Sequence, residues 1–331
     1  MLNAADFQPP RLLRNPHLQS VLGSSRLRQR HGARALAATG AVSTEHLLDG
    51  GDGVRLQGWH SRLPDSPRRP LVLLLHGWEG SAHSSYIQWM AARLLGLGLE
   101  VFRLNLRDHG DTHHLNEDLF HSNRMDELVQ ATRDMVERLD VADMAVAGYS
   151  LGGNHALRLG LRGPAAGLPL RRIAVVCPLV DPAAAMTRME QGPQLYDWYF
   201  RRKWRSSLRR KRALFPQRHT YDDAVLSLDM RGLIGWLAQR HAGFASVDDY
   251  FESYSIAGGR LSELQVPADI LMAKDDPVIP FEDFQHWQLP AVARLDVARW
   301  GGHCAFVQSL TGDGFAERWV ASRLGAALLG D

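Results

Sequence analysis

The sequence predicts an α/β architecture: a mostly parallel sheet flanked by helices, with a helical cap insertion before its last strands. Three observations carry that expectation. Between residues 71 and 180, short apolar runs that end in turn residues alternate with amphipathic stretches of helical period, the pattern of βαβ units. The alternation stops at Asp181-Pro182 and resumes near Val266. The chain has 331 residues, 45% of them apolar and 22% charged, enough for a large core and an insertion.

The elements follow in order. "STEHLLDGGDGVRLQGWHS", residues 43–61, reads as an antiparallel hairpin with a glycine-rich turn at a sheet edge. "LVLLLHG" is a strand buried on both faces, as a parallel sheet requires. Residues 84–98 place Ile87, Met90, Ala91, Leu94 and Leu95 on one helical face. "LEVFRLNLRDHG" is the next strand, and residues 122–140 form a helix with Ser122 as N-cap and acids in its first turns. "MAVAGYS", "LGGNHALRLGLRG" and "LRRIAVVCPLV" give strand, helix and strand. Residues 181–264 are helical and polar without a clear strand, and are expected to lie over the sheet. Strands return in "VPADILMAKDD" and "ARLDVARWGGH", and "GFAERWVASRLGAALL" is a closing helix. The chain therefore divides into 1–180, the first part of the core; 181–264, the insertion; and 265–331, the rest of the core.

Composition excludes several classes of function. A net charge of +2 gives no nucleic-acid footprint. Two cysteines, Cys177 and Cys304, make a disulfide framework improbable and point to a reducing, cytoplasmic setting. The first twenty residues lack a basic stretch followed by an apolar run, so no signal peptide is expected. No apolar run approaches the ~18 residues of a membrane span. H-E-x-x-H, C-x-x-C and P-loop patterns are absent, so neither a metal nor an organic cofactor is expected.

The chemistry concentrates at Gly148-Tyr149-Ser150-Leu151-Gly152. A G-x-S-x-G pattern is weak alone, but here it stands between an apolar strand and a helix, the setting in which a sharp turn presents a serine nucleophile. The glycines let neighbouring backbone pass the turn, and the helix start places free N–H groups and a positive dipole end beside Ser150. A serine hydroxyl needs a base to take its proton, and the base needs an orienting acid. Asp276, with Asp275 as the fallback, follows a late strand in "LMAKDDPVIP"; His303 follows the last strand in "RWGGHCAF". The oxyanion donors are the amides of Leu151 and of Trp78, in the loop after "LVLLL". His76, Gly77 and Tyr149 flank them as candidate substrate contacts. Cys304, beside His303, reads as a buried small hydrophobe.

With these residues in view, the chain resembles the α/β-hydrolase superfamily, and within it the YheT-like branch of bacterial hydrolases, related to the eukaryotic abhydrolase-domain lipases. "LRNPHLQS", "HGWEGSAHSSY", "LFHS", "GYSLGGN", "AKDDPVIP" and "GGHCAF" carry the resemblance over roughly residues 7–325. It implies the α/β-hydrolase fold, Ser150, Asp276 and His303 as the triad, and hydrolysis of carboxylic esters of short to medium chain or of acylglycerols. "LRDHGDTHH" departs from the family's Arg-Gly-Cys-type stretch, so no substrate contact is carried over from that loop.

Remaining signals read as background. The H-x4-D spacing of His113 and Asp118 is expected by chance, and His83, His109, His113 and His114 read as a wet loop rather than a zinc site. The basic run of Arg201, Arg202, Lys203, Arg205, Arg209, Arg210, Lys211 and Arg212 reads first as a solvated helix face. Its second reading is a lid making weak peripheral contact with anionic lipid, with Trp198, Tyr199, Phe200, Trp204 and Leu208 as the apolar side. A serine esterase is the leading function; an acyltransferase using the same triad, and a non-catalytic binder with the same fold, are the alternatives.

Overall fold

The computed structural model describes residues 2–64, 67–309 and 311–330. Two helices come first, α1 (Pro16–Gly23) and α2 (Arg26–Ala38), followed by the antiparallel pair β1 (Val42–Asp49) and β2 (Arg55–Arg62). The alternating core is β3 (Leu71–Leu75), α3 (Ser85–Gly96), β4 (Glu100–Leu104), α4 (Met125–Leu139), β5 (Met144–Tyr149), α5 (Leu151–Arg162) and β6 (Leu170–Val176). Five helices separate β6 from the next strand: α6 (Pro182–Gln191), α7 (Gln194–Leu214), α8 (Asp223–Ser227), α9 (Met230–His241) and α10 (Val247–Tyr254). The chain then forms β7 (Ala268–Ala273), the short α11 (Glu282–Gln285), β8 (Ala293–Ala298) and α12 (Phe315–Leu329).

The eight strands form one sheet in the order β1-β2-β4-β3-β5-β6-β7-β8. β1 and β2 run antiparallel at one edge, and β3 through β8 are parallel. Every residue of β3, β4, β5 and β7 is buried, so β3 and β5 read as unbroken apolar runs, while Glu100 and Arg103 of β4 and Asp269 of β7 are buried charged groups within theirs. α3 packs with α12, and α4 with α5, so helices cover the sheet.

Strand order reverses at β3: the chain moves from β3 out to β4, then back past it to β5. Such a switch point opens a crevice at the carboxyl ends of the strands, where open α/β sheets bind ligands. Leu75 of β3 lies beside Gly148 of β5, so the loops bearing Trp78 and Ser150 leave the sheet side by side. Ala273 of β7 lies beside Ala298 of β8, so the loops bearing Asp276 and His303 do the same.

Two sequence expectations are corrected. α4 begins at Met125 with Arg124 in the cap position, not Ser122. The Ser122 amide instead donates to Tyr250 Oη at 2.8 Å, and its carbonyl accepts from Arg158 at 2.9 Å; these partners hold the segment off the helix axis. The basic stretch is helical, as α7, but it is not solvated throughout. Lys211 is fully buried: its ammonium donates to the carbonyls of His113, Asn116 and Asp118 and sits 2.5 Å from Asp108 Oδ1. Trp204 and Leu208 share its buried face and join an apolar cluster with Leu151 and residues of α9 and α10.

Candidate active site

Ser150 sits between the end of β5 and the first turn of α5 at φ 54°, ψ −119°, a region that residues with a Cβ occupy only when the surroundings impose it. The surroundings do impose it. A Cβ on Gly148 would lie 2.2 Å from the Gly152 carbonyl oxygen, and one on Gly152 would lie 2.3 Å from that of Leu75. The turn closes only with glycine at both places. The Ser150 amide donates to the Val176 carbonyl, and its own carbonyl accepts from Gly153, Asn154 and Leu179, which fixes the strained residue from both sides.

His303 Nε2 lies 3.0 Å from Ser150 Oγ, and Nδ1 lies 2.9 Å from Asp276 Oδ2. An ionised carboxylate accepts only, so Nδ1 carries the proton and Nε2 is left to accept from the hydroxyl. Asp276 is fully buried, and its Oδ1 accepts from the amides of Val278 and Ile279. Asp275 is engaged elsewhere. Its Oδ1 accepts the Gly302 amide at 3.0 Å, and burial raises its pKa to about 6. Of the two aspartates, Asp276 meets the imidazole. Burial works against a charged His303, but the adjacent Asp276 carboxylate and Cys304 together outweigh it, and the pKa lies well above the ordinary value.

The Trp78 and Leu151 amides have no acceptor among the described residues. Gly77 sits tightly between them: a Cβ there would lie 3.3 Å from Ser150 Cβ and 3.3 Å from the Tyr149 carbonyl oxygen. Three side chains tie down the loop around Gly77. Tyr86 Oη accepts the Gly77 amide at 3.1 Å, His76 Nδ1 donates to the Gly77 carbonyl at 2.8 Å, and Lys203 of α7 donates to the Glu79 carbonyl at 2.8 Å. Burial holds the Glu79 carboxyl pKa at about 7, against the pull of Lys203. The Trp78 ring stacks on Phe200 of α7, centroids 5.3 Å apart.

A cavity of about 540 Å³ opens from Ser150 and His303 beneath α6, α7, α9 and α10. Leu179, Met186, Ile234, Leu237 and Phe251 line its apolar part. Gly77, Trp78, Leu151 and Tyr149 also line it; His76 does not. His76 is fully buried, with Nε2 accepting the Leu106 amide and burial driving its pKa well down. It props the loop and touches no ligand space, which corrects its reading as a substrate contact. Tyr149 is buried against Tyr86, and its hydroxyl has no partner among the described residues. The wet-loop reading fails for His109 and His113, both buried and held neutral, with pKa values of about 4 and about 3 because of burial. Among the described residues no cluster of potential ligands could hold a metal ion, and no helix is long and apolar enough to cross a membrane.

Sequence reasoning missed the support for His303. Ser20 Oγ of α1 accepts the His303 amide at 2.9 Å. The Gln19 side chain accepts from the Val307 amide at 2.7 Å and donates to the Val307 carbonyl at 3.0 Å. A Cβ on Gly302 would lie 2.5 Å from the Pro16 carbonyl oxygen. α1 thus grips the loop on both sides of the imidazole. Asn15-Pro16 was a legible helix start, since Asn15 caps the amides of His17 and Leu18. What the helix touches was not legible.

Comparison with known proteins bears on the fold and the family. Residues 70–309 match the family model described as the alpha/beta hydrolase fold. The chain is 26% identical over 330 residues to YheT of Escherichia coli (strain K12), provisionally named an esterase, covering 97% of this chain and 92% of that protein. It is 26% identical over 254 residues to phospholipase ABHD3 of Bos taurus, covering 74% of this chain and 60% of that protein. Among solved structures, the esterase Pf2001 of Pyrococcus furiosus superposes with a TM-score of 0.56 at 16% identity, covering 87% of this chain and 91% of that one. With an eight-stranded sheet, a serine turn between β5 and α5 and a family match over most of its length, the chain belongs to the α/β-hydrolase family.

Proposed function

We propose that this hydrolase cleaves carboxylic esters through an acyl-enzyme, with Ser150 as nucleophile, His303 as base and acid, and Asp276 as orienting acid. The observation that supports it best is the unbroken relay of 2.9 Å and 3.0 Å from Asp276 through His303 to Ser150. In the first half-reaction His303 takes the Ser150 proton as Oγ attacks the ester carbonyl. The developing oxyanion lies between the amides of Trp78 and Leu151, each of which contributes about 3 kcal/mol in sites of this kind. His303 then protonates the departing alcohol, and afterwards activates the water that frees Ser150.

Helices α6–α10 act in this reading as a cap over the acyl pocket, dividing the chain at 1–180, 181–264 and 265–331. The apolar lining suits a short- to medium-chain acyl group or an acylglycerol, and the similarity to a phospholipase supports a lipid ester. Leu195, Trp198 and Tyr199 are exposed on α7 beside Arg201 and Arg202, which supports peripheral contact with anionic lipid; salt-sensitive vesicle flotation tests it. Two unpaired thiols suit a cytoplasmic setting.

A fluorophosphonate probe should label the protein, and the label should vanish in Ser150→Ala. A chain-length series of nitrophenyl esters and monoacylglycerols then sets the acyl preference, and added alcohols show whether water is the acceptor. An unlabelled, inactive native protein overturns the proposal in favour of a binder.

A further inference from the structure

The chain has only two cysteines, and the fold brings both to the loop that bears His303. Cys177 directly follows β6; Cys304 directly follows His303. Each thiol reaches the backbone next to the other cysteine: Cys304 Sγ lies 3.4 Å from the Val176 carbonyl oxygen, and Cys177 Sγ lies 4.0 Å from that of Gly302. Each thiol thus lies against the strand end or loop that carries the other. Both residues hold a positive φ, 43° and 59°, which is strained for residues with a Cβ.

The two thiols have unequal surroundings. Cys304 lines the cavity, with Sγ 3.9 Å from His303 Nε2, the nitrogen that also faces Ser150. Burial opposes its thiolate, but the hydrogen bond from Cys177 and the neighbouring imidazole bring its pKa down to about 6. Cys177 is fully enclosed, and burial pushes its thiol well up. One sulfur is therefore a reachable nucleophile and the other a protonated neighbour behind it, the arrangement of an attacking and a resolving cysteine.

We propose that Cys304 is an oxidation site inside the active-site cavity, and that hydrogen peroxide converts Cys304 and Cys177 into a disulfide that turns the hydrolase off. In the first step the Cys304 thiolate attacks one peroxide oxygen. The O–O bond breaks, an S–OH bond forms, and the departing hydroxide takes a proton from the imidazolium to leave as water. In the second, Cys177 sulfur attacks Cys304 sulfur; the S–S bond forms, the S–O bond breaks, and the released hydroxide leaves as water with the Cys177 proton. Two thiols are oxidised and one peroxide is reduced to two waters. The disulfide ties the residue after His303 to the end of β6, pulling the imidazole out of register with Ser150. Loss of activity rests on the proposed serine mechanism; the thiol chemistry does not.

The test is hydrogen peroxide treatment of the full-length protein, read by intact mass, peptide mapping and fluorophosphonate labelling. The expected result is a loss of two hydrogens, a peptide cross-link between Cys177 and Cys304, a fall in labelling of about tenfold to a hundredfold, and recovery with dithiothreitol. Cys304→Ala should label without peroxide and lose the sensitivity. Cys177→Ala should halt at a sulfenic acid on Cys304 that dimedone captures, so the proposal remains testable if Cys304→Ala does not fold. Two free thiols after treatment, an oxidised pair with undiminished labelling, or a peroxide effect that survives in Cys304→Ala would each overturn it. A native protein that never labels but does cross-link would instead remove the serine mechanism and leave the thiol chemistry standing.

Discussion

At Ser150 the backbone occupies a conformation that only the surrounding contacts sustain, and Gly152, like Gly148, leaves no room for a Cβ. A methyl group there meets the Leu75 carbonyl at 2.3 Å, so Gly152→Ala must push β3 and the serine turn apart. Labelling of Ser150 is expected to fall by about a hundredfold or more, with far-UV circular dichroism unchanged; native labelling in that variant would contradict the account. The paired aspartates make a second test. In the proposed mechanism His303 accepts the serine proton only when neutral, so activity should rise with pH through its raised pKa and be lost below it. Asp276→Asn removes the charge that raises that pKa, leaving burial to lower it. The acid limb of the kcat profile should move to lower pH while the plateau drops by about 10⁴-fold. Asp275→Asn keeps an oxygen for the Gly302 amide and should leave both close to native. That Ser150, Asp276 and His303 lie near one another was legible because each stands in the turn or loop after a recognisable strand. His76 was misread because sequence places a residue on a loop but does not say where its ring points.

Among the elements, α1 and α7 both contact the loops of the site; the first was not read as a helix and the second was read incompletely. α1 binds the catalytic loop through Gln19 and Ser20 across 288 and 283 residues of sequence, a relation that no local pattern expresses. Ser20→Ala and Gln19→Ala should each lower kcat by about tenfold to a hundredfold with KM unchanged. Equal loss in both constants would indicate general damage rather than a displaced imidazole. In α7 the signal was present but outweighed by the charge run. Trp204, Leu208 and Lys211 stand at i, i+4 and i+7, one helical face, and that is the buried face. Composition identified Lys211 as a solvated cation; helical period would have placed it among apolar neighbours and asked for its acceptors.

For the molecule as a whole, Lys211 decides how firmly the five helices between β6 and β7 are held. Its ammonium reaches three carbonyls and Asp108 in the loop after β4. Lys211→Met strands a buried carboxylate, a change that typically costs about 3–5 kcal/mol. A urea titration should show one transition at a lower midpoint, with the helices lost together with the core. A separate early transition would show that they form an independent lid. The parallel strands and the closing helix were readable from apolar patterning, because strands covered on both faces are predominantly apolar. Their order in the sheet was not, since pairing joins segments far apart along the chain. The grip of α1 on the His303 loop has a further consequence for biosynthesis. During translation the helix emerges long before the imidazole it holds, so in the proposed mechanism a ribosome-bound fragment that stops short of His303, however much sheet it has assembled, carries an idle serine. Proteolytic loss of the leading helix from the finished protein should have the same result, leaving a folded hydrolase whose base has lost its support.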